Sequence, residues 1–117
     1  MAFKKSINIE TFNSKLEVVI TDSVQKEIKK VYDLYKVKYE DPIEVEGVLI
    51  NVSIEKYHLL IDKKYLTHNT IAHEIYHATV RITEDRDVVD EETQAWLCGY
   101  ITQKIYEFIK LKKLEIK

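Results

Sequence analysis

The sequence predicts an α+β fold: a small sheet, built from a hairpin plus an N-terminal strand, packed on an N-terminal helix, an HExxH-bearing helix and a C-terminal glutamate-bearing helix. Three observations predict it. Residues 44–62 alternate apolar and polar with period two. Three other segments place apolar residues at helical spacing. Only two glycines and one proline interrupt the 117 residues, so connections should be short. One domain spanning 1–117 is expected, with no linker or repeat.

The first strand is expected at Leu16–Thr21, a short β-branched run. Asp22 and Ser23 then offer helix N-caps, and Asp22 with Gln25 has capping-box spacing. Val24, Ile28, Val31 and Tyr35 form one helical stripe, with Lys26, Lys29, Lys30 and Asp33 opposite. Asp41-Pro42 should stop this helix, because a proline ring disfavours helix at the residue before it. In the hairpin, Val48, Ile50, Val52 and Ile54 lead to a turn near Glu55-Lys56, and Tyr57, Leu59 and Ile61 continue the alternation. One face should be core, with His58 on the outer face.

A second helix is expected to begin between Thr67 and Thr70, with Ile71, Ile75, Ala78 and Ile82 buried. Thr83–Val89 reads as a charged loop, with Asp90 as the cap of a third helix running to about Lys110. Leu97, Ile101, Ile105 and Phe108 make its apolar stripe, and Trp96 is also expected in the core. The tail from Leu111 to Lys117 is basic and expected to fray. The strand and helix order is thus β-α-β-β-α-α.

Composition narrows the function. Hydrophobic residues are 45% and charged residues 32%, which is globular rather than disordered. A formal charge of -2 gives no net basic field, so neither nucleic acid nor a membrane surface is an expected partner. The single cysteine, Cys98, excludes a disulfide-stapled scaffold and suits a reducing, cytoplasmic setting. No signal-peptide or bilayer-spanning run is legible.

Residues 73–77 read His73-Glu74-Ile75-Tyr76-His77, the HExxH pattern, inside the second helix. Histidines at i and i+4 lie on one helix face and can converge on one Zn2+ per chain. Glu74 sits about 100° around the helix, where it can take a proton from water as general base without ligating the metal. A buried helix carrying two histidines and a glutamate would pay several kcal/mol for leaving them unpartnered, and a metal supplies the partner. Ordinary polar histidines, hydrogen-bonded or exposed, and a purely structural metal are the competing readings.

A catalytic zinc needs a third protein ligand and an open position. No histidine follows His77, so a carboxylate, an upstream histidine or Cys98 must serve. Glu92 is the favoured carboxylate: it heads the third helix after a connection of about ten residues. Ala95 and Gly99, on its face, would let that helix press against the metal helix. Glu91, rotated by about 100°, is the alternative ligand.

HExxH followed by Glu92-Thr93-Gln94-Ala95 resembles the gluzincin zinc metalloproteases, and the compact layout is similar to their short members, the minigluzincins. The run from Asp90 to Tyr100 also looks similar to small uncharacterised proteins encoded by phages and prophages. The resemblance covers residues 67–109. It implies that His73, His77 and Glu92 bind zinc, that Glu74 is the base, and that the substrate is a peptide or protein. It also implies that a hairpin strand, Val48–Ser53 or Tyr57–Ile61, binds the substrate backbone.

Tyr100 and Tyr76 are candidates for donating a hydrogen bond to a transition state, and His68 for an oxyanion or second-shell contact. For each, a core, rim or helix-entrance role is the blander expectation. The expected function is therefore a small zinc metallopeptidase. The alternative is a metal-binding regulatory or interaction protein without turnover.

Overall fold

A computed structural model describes residues 1–38 and 45–117. The expected helix stop at Asp41-Pro42, and Glu44 at the start of the hairpin window, lie outside the described residues. Four strands, β1 (Ala2–Ile9), β2 (Ser14–Thr21), β3 (Gly47–Ser53) and β4 (Lys56–Asp62), and three helices, α1 (Val24–Leu34), α2 (His68–Glu84) and α3 (Glu91–Leu111), form the α+β fold that was expected. The sheet order is β1-β2-β4-β3. β1 pairs antiparallel with β2, β2 parallel with β4, and β3 antiparallel with β4. The sheet is mixed, because α1 forms a crossover between β2 and the β3–β4 hairpin.

β1 is an addition to the expected order. Its inward residues, Ile7 and Ile9, are buried, while Lys4, Lys5, Ser6 and Asn8 are exposed. Lysines on an outer strand discourage pairing with other chains, which suits an edge position. The second correction concerns β4. It is buried on both faces, because α1 covers one side of the sheet and α2 with α3 cover the other. Leu16, Val18, Ile20, Tyr57, Leu59 and Ile61 meet the α2–α3 layer, whereas Val19, Ile50 and Leu60 meet Val24, Ile28 and Val31 of α1. His58 is thus buried under the first helix, its Nε2 2.9 Å from the Tyr35 hydroxyl, rather than on an outer polar face.

The helix ends follow local chemistry. Ser23 caps α1 by accepting from the Lys26 N–H, while the Asp22 carboxylate binds the Met1 ammonium instead of capping. Thr67 caps α2 and Asp90 caps α3, each accepting from the backbone N–H three residues on at 3.0 Å. α2 runs to Glu84, two residues further into the charged segment than expected. Thr83 is fully buried there and donates to the Thr79 carbonyl. Two expectations for the C-terminal part fail. Trp96 is half exposed and stacks on Tyr100 at 5.6 Å. The tail is docked: the Lys117 N–H donates to the Leu66 carbonyl, and Leu114 and Ile116 pack on the core. Among the described residues, no helix is long and apolar enough to cross a membrane.

Candidate metal centre

The position of the HExxH residues follows from how α2 is seated. Ile71, Ile75, Ala78 and Ile82 turn into the core, which fixes the helix rotation. His73 and His77 are left on an exposed flank beside β3, the free edge of the sheet. Their Nε2 atoms lie 3.1 Å apart, and the rings stand at 78° with centroids 4.6 Å apart. Two nitrogen ligands on a tetrahedral zinc stand about 3.3 Å apart at ordinary Zn–N lengths. The pair thus has nearly the spacing of two corners of such a site.

Glu74 lies on the inner side of the same turn and is only 4% exposed. Its Oε2 is buried with no hydrogen-bond partner, although a carboxylate oxygen in that position costs about 1–3 kcal/mol. Burial pushes its carboxyl above the usual carboxylate range, and positive charge on His77 or His73 pulls it back. One ligand atom from each of His73, Glu74 and His77 lies within 4.8 Å of the others. A hydrogen bond between the two imidazoles would account for their distance alone. It leaves the orphaned Glu74 oxygen unexplained, whereas a cation or an acidic proton at this spot satisfies it. These three groups could together hold a metal ion.

Gly47 makes the room. A Cβ at this position would stand 3.0 Å from Glu74 Cγ, 3.2 Å from Cδ and 3.1 Å from the Leu60 carbonyl oxygen. The sequence carries the signal, since a glycine inside a strand pattern marks close approach, but the expectation above does not use it. On either side of this contact, two hollows share Gly47, His73 and Glu74. One, of about 410 Å³, is bounded by Val45, Glu46, Asn69 and Thr70. The other, of about 320 Å³, is bounded by Leu49, Tyr76, His77, Val80, Arg81 and Glu84. Together they form a groove between α2 and β3. A larger hollow, of about 640 Å³, lies elsewhere beside Asn8, Asn13, Tyr35 and Lys56, away from any of these groups.

The groove does not receive Glu92. The Gln94 side chain donates to the Thr83 hydroxyl at 3.2 Å, which sets the start of α3 beside the end of α2. Thr83 is six residues past His77, about 9 Å along the helix, and Glu92 precedes Gln94. Glu92 is exposed in a hollow with Thr11, Thr93 and Trp96. Thr11 follows β1, the sheet edge opposite β3. Glu91, the alternative ligand, is also exposed and outside the cluster. The proposed close approach at Gly99 is absent too, since a Cβ there would meet nothing within 4 Å. α3 contacts α2 through its Leu97, Ile101 and Ile105 stripe and not through its small residues.

The accessory candidates separate as well. The Tyr100 hydroxyl donates to the Asn8 carbonyl of β1 at 2.9 Å, which takes it away from the groove. His68 Nδ1 is 2.7 Å from the Tyr106 hydroxyl and the rings stack, so it ties α2 to α3 at the helix entrance. Tyr76 does line the groove, 66% exposed, with its ring 6.4 Å from that of His77. Of the two candidate substrate strands, β3 is the edge and lines the site, while Tyr57–Ile61 is interior. Cys98 is a half-buried free thiol.

No family model, curated protein or solved structure matches this chain.

Proposed function

We propose that the protein is a zinc-dependent hydrolase, a small metallopeptidase in which His73 and His77 hold one Zn2+ and Glu74 is the general base. The observation that carries this reading is the coincidence of two imidazole nitrogens 3.1 Å apart with a buried, unpartnered carboxylate oxygen. A bound zinc would supply a Lewis acid and lower the pKa of a water to about 7. Glu74 takes the proton from attacking water and returns it to the leaving group. Its desolvated position makes it a stronger base than an exposed carboxylate, since the ionised form lacks water to stabilise it. β3 presents its free edge to an extended peptide, whose backbone would pair with it across the groove. His73 and His77 would hold the ion, and among the described residues no further side chain besides Glu74 stands with them as a ligand.

A second reading, a metal-binding regulatory or interaction protein without turnover, is favoured by one observation. Among the described residues, no third histidine, cysteine or acidic ligand beyond Glu74 joins the cluster. The two readings part in one experiment. Zinc-loaded protein is incubated with a mixed peptide library and products are read by mass spectrometry, beside Glu74→Gln. Cleavage by the wild type alone supports the hydrolase. Zinc retention with no cleavage of any peptide supports the binding protein.

A further inference from the structure

Arg81 stands one helical turn beyond His77 on the same flank of α2, about 6 Å further along the axis, and lines the same groove. It is held there by a chain of hydrogen bonds. The fully buried Tyr57 donates its hydroxyl to Asp85 Oδ2 at 2.6 Å. The Asn51 side-chain Nδ2 donates to the same oxygen at 3.3 Å, and Arg81 Nη1 donates to Asn51 Oδ1 at 3.0 Å. The neighbours fix the orientation of this amide: a carboxylate can only accept and a guanidinium can only donate. The exposed Arg81 side chain is thereby tied to β3.

Among the described residues, no carboxylate pairs with its charge. None of the four ion pairs among the described residues includes Arg81. Its recorded partner is a neutral amide, which uses one of five N–H donors. The acidic groups along the groove are Glu46, Glu74 and Glu84, and Asp85 lies just beyond Asn51; among the described residues none of them forms an ion pair with Arg81. A guanidinium fork that is positioned but unpaired matches a carboxylate bidentately.

We infer that Arg81 is a specificity residue that binds a substrate carboxylate, selecting peptides that carry an acidic side chain or a free C-terminus within about two residues of the scissile bond. A strand residue advances about 3.3 Å, so two residues span the rise from His77 to Arg81. This inference rests on the groove being the substrate site.

The test uses metal-free, isotope-labelled protein and measures binding without turnover. The probes are three alanine-based tetrapeptides: one with a glutamate and both ends blocked, its glutamine twin, and an all-alanine peptide with a free C-terminal carboxylate. Affinities come from amide and Arg81 Nε–H shifts in NMR titrations. The carboxylate probes should bind about tenfold tighter than the glutamine twin. The stronger of the two identifies the source of the carboxylate. Arg81→Gln should abolish the preference while keeping a folded spectrum, and Arg81→Lys should retain part of it. Equal binding of the twins, a preference that survives Arg81→Gln, or no binding by any probe would overturn the inference. Failure to bind zinc or to hydrolyse peptides would defeat the proposed function but would not alter this charge preference.

Discussion

Replacing Gly47 by alanine probes the packing of the candidate base directly. The glycine has an ordinary backbone conformation, so alanine meets no dihedral obstacle. Its Cβ would lie 3.0 Å from Glu74 Cγ and 3.1 Å from the Leu60 carbonyl oxygen. Both are tighter than most Cβ contacts, and Leu60 belongs to the buried strand β4, whose backbone is fixed on both sides. The Glu74 side chain must therefore give way. Overpacking of this kind costs about 1–3 kcal/mol. Stiffening of the unfolded chain by alanine offsets about 0.4–1 kcal/mol. A net loss of about 1 kcal/mol corresponds to a fall in Tm of about 4 °C for a chain of this length. The functional effect should be larger. A base displaced by a fraction of an ångström loses its alignment, and a shift of 1 Å costs about a hundredfold. Because His73 and His77 lie on the exposed flank, zinc content should be unchanged. Thermal melting and zinc analysis need no substrate, and kcat is read on whichever peptide the library identifies. Unchanged Tm together with wild-type turnover would refute the claim that Gly47 shapes the pocket of Glu74.

Three further substitutions have defined outcomes. Tyr57→Phe removes the buried hydroxyl that donates to Asp85 and should cost about 1.5–3 kcal/mol in urea unfolding, as for other hydrogen bonds to a charged group. Gly99→Ala should stabilise by about 1 kcal/mol, since the position is an exposed helix interior where an added Cβ meets nothing; destabilisation would restore the close helix contact that the sequence suggests. Burial holds His58 below the usual histidine range, with Lys56 adding to this and Glu17 opposing it. The unfolded chain therefore takes up this proton first, so stability is full above the unfolded pKa near 6.5 and falls as pH drops toward the folded value. His58→Gln should flatten that part of the pH–stability curve, and an unaltered slope would show that His58 does not cause it.

The residues explain why parts of this molecule are legible in sequence and others are not. α1, α2 and α3 bury one stripe each, and a 3.6-residue period reports that directly. β1 escapes because Lys4, Lys5 and Ser6 interrupt its apolar residues, which leaves no sustained alternation and is the composition of a protected edge. The two-sided burial of β4 depends on the parallel pairing with β2 and the crossover of α1, and both are long-range. His58 therefore looks like an outward residue in a local pattern. HExxH is local, and the structure does bring its three polar residues together. The third ligand is not local. The connection of about ten residues expected from the sequence would let Glu92 turn back, but α2 and α3 are joined by residues 85–90 alone, and the Gln94–Thr83 contact fixes α3 in a register that carries Glu92 past the site. Trp96 and Tyr100 illustrate the same limit: their aromatic character does not say which layer they cover, and they stack at the surface. The chain Tyr57–Asp85–Asn51–Arg81 joins two strands to the end of α2, and nothing in the spacing announces it.

The central claim is that the imidazoles of His73 and His77 hold a metal, and elemental analysis of purified, zinc-supplied protein tests it most directly. The account predicts about one zinc per chain, lost in His73→Ala and in His77→Ala and retained in Glu91→Ala and Glu92→Ala. Absence of zinc from the wild type, or its retention when either histidine is removed, would contradict the metal centre. Loss of zinc in Glu92→Ala would instead contradict the placement of α3 and return that glutamate to the ligand set.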